Sequence, residues 1–188
     1  NKQKIALIEW DVPNTKMNVL SLKGMVDFEV TLDKALNDSE VKGIIITSAK
    51  KDFSGGMDLN VLTKIISSEK NFELRAFETL TEIHNILRKL EVSGRDTKKK
   101  IKGKPVVWMC SGVSAGIGTE IGLACHYRIA SDISRTKIGL PEILVGLFPF
   151  GGGTTRVSRM IGAMAAAPIL LEGRMMNARA AKSAGIID

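Results

Sequence analysis

Two glutamates sit where glutamates are costly. In "SAGIGTEIGLAC", residues 114–125, Glu120 follows a glycine pair inside a run that is otherwise small and apolar. If the chain after Gly116 is a helix, its neighbours at helical spacing are Gly116, Ile117, Leu123 and Ala124, none of them polar. An unpartnered buried carboxylate costs several kcal/mol, so such a group is usually paired or used for its shifted pKa. Glu142, in "KIGLPEILVGLFPFGGGTT", repeats the pattern among Leu140, Ile143, Leu144 and Val145. Taken alone, Pro141-Glu142 also reads as a plain helix start, where an acid is favourable. Two glycine turns accompany the pair: "CSGVSAGIGTEIG" and "KKDFSGGMDLNVL". Each can aim backbone N–H groups at an oxygen, although the second reads equally well as a tight turn before a helix capped by Asp58. Two carboxylates in apolar settings and two sources of N–H donors together suggest acid-base chemistry beside an oxyanion hole.

Other chemistries fit less well. Gly116, Gly118 and Gly122 give GxGxxxG rather than the dinucleotide spacing, and no acidic residue ends an obvious strand about 20 positions on. His84 and His126 are too few and too isolated for a histidine metal site. Cys110 and Cys125 lie in apolar runs, as reduced buried thiols do, rather than in a disulfide framework. No segment approaches the roughly 18 to 20 apolar residues of a membrane helix, and "NKQKIALIEWDVPN" lacks the pattern of a secretory signal. The net charge of +7 could suit nucleic acid, a membrane surface or a polyphosphate. Its densest run, "TKKKIKGK" at 97–104, reads either as a solvated loop or as a phosphate contact.

The elements that must position these residues alternate. "KIALIEW", "GIIITSA", "KPVVWMC" and "HYRIAS" read as short buried strands. "LKGMVDFEVTLDKALN" has a helical apolar pattern, and Ala76, Leu80, Ile83, Leu87 and Leu90 follow one face of a second helix. This is an α/β arrangement with largely parallel strands. The last forty residues read as short helices that start and stop at Gly and Pro, and "EVSGRDTKKKIKG" as a flexible insertion. With 188 residues and 44% hydrophobic composition the chain can bury one core, so a single domain is expected. The missing initial Met and the stop at "AAKSAGIID" suggest a piece of a longer chain.

These stretches resemble the crotonase, or enoyl-CoA hydratase/isomerase, superfamily. The likeness runs from "KMNVLS" through both glycine turns and "IGLPEILVGLFPFGGGTTRVSRMIG" to "LLEGRMMNARAAKSAGIID", with both glutamates in the family's order. In detail it is most similar to the N-terminal hydratase domain of multifunctional fatty-acid oxidation enzymes. The resemblance implies a spiral of ββα turns with a C-terminal helical region cut short, occupying residues 1–188, and an acyl-CoA thioester as substrate. It implies that the N–H groups of Met57 and Ile117, in loops made by Gly56 and Gly116, hold the thioester oxygen. Glu120 and Glu142 would then flank the water that is added. It further implies no cofactor in this chain, NAD being used only by a dehydrogenase domain absent from it. A homo-oligomer or a fatty-acid oxidation complex is expected, in the bacterial cytoplasm or, in a eukaryote, the mitochondrial matrix. The lysine run would meet the phosphates of CoA.

The chain departs from the family's pattern in three places. Ile117 replaces a glycine and adds a side chain near the thioester; Phe150 replaces a glycine at a helix start; and the stretch between the glutamates is slightly longer, in "SDISRTK". The alternatives are Δ3-Δ2-enoyl-CoA isomerisation, which needs one carboxylate, and a non-catalytic RNA-binding or scaffold role on the same fold. The latter lacks the interleaved aromatics that single-strand binders use.

Overall fold

The computed structural model describes residues 4–67 and 71–188. Strands β1 (Ile5–Trp10), β2 (Gly43–Ser48) and β3 (Val106–Cys110), with a later strand β5 (Tyr127–Ala130), form a parallel sheet in the order β1-β2-β3-β5. These are the four strands expected from the sequence. β2, the run of isoleucines, is buried along almost its whole length, as a central strand covered on both faces must be.

The crossover helices also fall where apolar spacing puts them. Helix α1 (Leu22–Asn37) begins at Ser21, whose Oγ accepts the Gly24 N–H at 3.1 Å. Helix α2 (Leu59–Ile66) follows Asp58, whose Oδ1 accepts from the Asn60 N–H. Helix α3 (Phe72–Val92) buries Ile83, Leu87 and Leu90, while Ala76 and Leu80 of the same stripe are only half-buried. Phe53 packs edge-on against both Trp10 and Trp108, and these rings join Leu32, Ile44, Ile46 and Leu90 in one core. Cys110 and Cys125 lie in it as free thiols, pushed up to about 12 by burial.

A second sheet was not legible from the sequence. Strands β4 (Val113–Ala115) and β6 (Lys137–Gly139) pair in parallel, and β7 (Met175–Met176) adds antiparallel to β6. Isolated bridges Ser54–Ser114 and Leu20–Met57 continue this layer toward the chain that follows β2. Elements of two or three residues are too short to display a period.

Helices α4 (Ile117–Ala124), α5 (Gly153–Ile161), α6 (Ala163–Leu171) and α7 (Ala178–Ser183) complete the fold. Gly162 separates α5 from α6 as expected, whereas Pro168 lies inside α6 instead of ending it. The segment read as a flexible insertion differs too. α3 takes its first two residues, and an Asp96–Ile101 bridge with the Lys104 N–H donated to the Ser93 carbonyl ties down the rest.

Candidate active site

Two loops leave the C-terminal ends of β2 and β3 and meet. After β2, the N–H groups of Phe53 and Ser54 donate to the Val113 carbonyl, and the Ala115 N–H donates back to Ser54. Asn18, fully buried, holds this junction: its Nδ2 donates to the carbonyls of Trp10 and Phe53 and to Ser48 Oγ, and its Oδ1 accepts from the Val12 N–H. Asp52 adds a second tie, accepting from the Val113 N–H through Oδ1 and from Arg135 through Oδ2. Arg135 belongs to the lengthened stretch "SDISRTK", so that extension braces the first glycine loop.

The loops use their amides in the same way. The Gly56 N–H donates to Ser54 Oγ and the Gly116 N–H to the Gly139 carbonyl, so neither glycine's own amide is available to a ligand. Both sit at positive φ, +107° and +54°, and their part is to turn the chain. The next amides are different. In the Leu20–Met57 bridge the bonds are Leu20 N–H to Gly56 O and Asp58 N–H to Leu20 O, which leaves the Met57 N–H facing away from the pairing. Ile117 is the first residue of α4, where an N–H has no intrahelical acceptor. A Cβ built on Gly116 would lie 3.8 Å from the Cα of Gly56, so the two free amides are on adjoining backbone.

Ile117 keeps the amide that the resemblance requires, but its side chain does not stand in the opening. It is 2% exposed, packed in the core beside a void of about 10 Å³ lined by Leu20, Met25, Ile83 and Leu87. A groove of about 710 Å³ between β1 and α1 is lined by neither Glu120 nor Glu142.

All eight residues of α4 are buried, Glu120 at 0% exposure. The helix fits because Gly118 and Gly122, one turn apart, face the sheets. A Cβ at Gly118 would come 2.6 Å from Ser54 Cβ, and one at Gly122 would come 2.6 Å from the Trp108 ring. The glycines that imitated a dinucleotide motif are packing glycines. Glu120 Oε1 accepts the Gly153 N–H at 2.7 Å, while Oε2 makes no full hydrogen bond among the described residues, although the nearby Gly151 amide also favours its ionised form. Burial pushes the carboxyl up to about 7; the Gly153 amide opposes this, and the charge of Glu142 adds to it.

Glu142 approaches from the other side, on a short 3-10 helix, Pro141–Val145, that follows β6. Its Oε1 lies 2.9 Å from where a Gly116 Cβ would be, and its Oε2 is buried without a partner. Burial raises its pKa as well. The structure thus gathers Glu120, Glu142 and the amides of Met57 and Ile117 around Gly116. Two carboxyls whose burial favours the protonated form, beside two N–H donors unclaimed among the described residues, can exchange protons with a substrate whose oxygen those donors hold.

The lysine run is not part of this cluster. It precedes β3, while both amide loops follow the strand ends, about 15 Å away along the sheet. Lys98 and Lys99 donate their backbone N–H groups to Asp96 Oδ1, and Lys104 Nζ caps the carbonyls of Ala35 and Asp38. Sequence reading missed Asn18, Asp52 and Gly153. Only Gly153 left a signal, in the glycine run 151–153.

The fold is an α/β arrangement of two sheets in which two carboxyls and two backbone amides meet. The chain belongs to the Enoyl-CoA hydratase/isomerase family, which it matches over residues 1–188. It is 34% identical over 187 residues to the fatty acid oxidation complex subunit alpha of Shewanella amazonensis, covering 98% of this chain and 24% of that relative. The protein of the same name from Vibrio parahaemolyticus is 32% identical over 191 residues, covering 100% and 25%. The chain therefore spans about a quarter of these relatives' length. Among solved structures, an enoyl-CoA hydratase from Thermoplasma volcanium GSS1 superposes with a TM-score of 0.83 at 28% identity, over 98% of this chain and 67% of that one. One from Polaromonas sp. JS666 shares the fold, with a TM-score of 0.84 at 22% identity over 100% and 67%.

Proposed function

We propose that this chain hydrates trans-2-enoyl-CoA thioesters to 3-hydroxyacyl-CoA. The observation that carries the reading is the meeting of two buried carboxylates with two unclaimed backbone amides. The N–H groups of Met57 and Ile117 hold the thioester oxygen and stabilise it as negative charge develops there. A water between Glu120 and Glu142 loses a proton to one carboxylate as its oxygen bonds to the β-carbon, and the other carboxyl delivers a proton to the α-carbon. One water is added and the protons balance. The pair is best described by joint titration, since each charge affects the other.

Two glutamates favour hydration over Δ3-Δ2 isomerisation, for which one base is enough. The chemistry asks for no cofactor. We take the chain to be a single catalytic domain, and the relatives named as alpha subunits support a place in an oligomer or fatty-acid oxidation complex. The test follows the ultraviolet absorbance of a short trans-2-enoyl-CoA as its conjugated double bond is consumed. The native chain should turn it over, and Glu120→Gln and Glu142→Gln should not. Near-normal turnover in both variants would overturn the reading. A trans-3-enoyl-CoA run in parallel identifies isomerisation by the rise of the same absorbance.

A further inference from the structure

The turn that grips Glu120 is itself gripped from α3. His84 Nε2–H donates to the Phe150 carbonyl, and on the next residue the Gly151 carbonyl accepts from Arg156 Nη1 at 2.6 Å. Arg156 is in turn fixed by its Nε on Glu91 Oε1 at 2.8 Å, and Glu91 also takes Arg88. His84 and Glu91 are seven residues apart, two turns along one face of α3. The guanidinium side chain is only 16% exposed. The turn is shaped around it: Gly152 has φ +94°, and a Cβ there would come 2.5 Å from Arg156 Nη1. Two residues beyond the captured carbonyl, the Gly153 N–H donates to Glu120.

We propose that Arg156 is a positioning residue for the reaction: its guanidinium locks the Gly151–Gly153 turn to α3, and through that turn orients the Glu120 carboxylate. This rests on the hydratase reading. Arg156 acts through Gly151 and Gly153 and carries a charge that favours ionised Glu120. The charged groups bearing on Glu120 are Glu142 from the 3-10 segment and Arg156 from α5, with Glu91 and Arg88 of α3 behind them and the titratable His84 on the same helix face. Glu91 is held ionised: burial, the largest influence, raises its pKa, but Arg88 and Arg156 together outweigh it and hold it low.

The test combines hydration kinetics with NMR titration of 13C-carboxyl-labelled glutamate, the Glu120 signal being the one lost in Glu120→Gln. In Arg156→Gln, kcat should fall roughly tenfold to hundredfold with KM within about twofold, the signature of misplacement. The Glu120 midpoint should move up. Arg156→Lys keeps the charge but cannot bridge Gly151 and Glu91, so it should lose kcat while its midpoint stays near the native one. Glu91→Gln, which leaves Arg156 uncompensated, should move the midpoint down, and it serves if Arg156→Gln does not fold. Native kcat and an unmoved midpoint in Arg156→Gln, or in Glu91→Gln in its place, would overturn the proposal. If the native chain hydrates nothing, the hydratase reading fails by itself, and opposite midpoint shifts in the Gln variants at Arg156 and Glu91 still decide the role of Arg156.

Discussion

The two carboxylates stand on supports of opposite character. Every residue of α4 around Glu120 is buried, whereas no residue of Pro141–Val145 around Glu142 is, and Ile143, Leu144 and Val145 are exposed. Glu120 is built into the junction of the two sheets and takes an amide from α5. Glu142 is brought in by a short helix resting on the surface, its carboxylate alone tucked against Gly116. A site can thus join one group set by the core to one set by a single turn.

The largest expected effect would break this contrast at the level of chemistry. Glu120→Gln and Glu142→Gln should each lower hydration by about 10²-fold to 10⁴-fold while both variants stay folded; an effect confined to Glu120 would mean that the carboxylate carried by the 3-10 helix is dispensable. Next comes the pH dependence of stability. Glu120 sits at about 7 when folded against an ordinary 4.5, so the folded state binds the proton more tightly. Its contribution is full below about 4.5 and is lost as pH rises to about 7, roughly 3 kcal/mol in all. Denaturant titrations across that window should show the decline in the native chain and a shallower one in Glu120→Gln, which becomes the more stable protein above pH 7. Glu142, also raised, acts in the same direction.

Packing variants sharpen the contrast further. Gly122→Ala drives a methyl into the Trp108 ring and should cost about 2 to 3 kcal/mol in chemical denaturation. Gly146→Ala, just past the 3-10 helix, meets nothing within 4 Å, and its cost of about 1 kcal/mol comes from φ +75° alone. Leu144→Ala, at a side chain 69% exposed, should change stability by less than about 0.5 kcal/mol. Comparable losses at Gly122 and Leu144 would mean that the two supports are equally packed.

The four long strands and helices α1 and α3 were legible because burial against one layer imposes a period on residues such as Ile44, Ile46, Leu87 and Leu90. The glutamates were legible for the converse reason, as charges that break an apolar pattern. β4, β6 and β7 were not, since three residues carry no period. The sequence by itself determined which residues are out of place in a core: Glu120, Glu142 and the glycines beside them. Only the tertiary structure decided that the amides of Met57 and Ile117 are free while those of Gly56 and Gly116 are spent, and that Arg156 and Glu91 stand behind Glu120. The reason is physical. Burial leaves its mark on each residue separately, but a hydrogen bond belongs to a pair, and the partners here lie far apart in the chain until the two sheets bring them together.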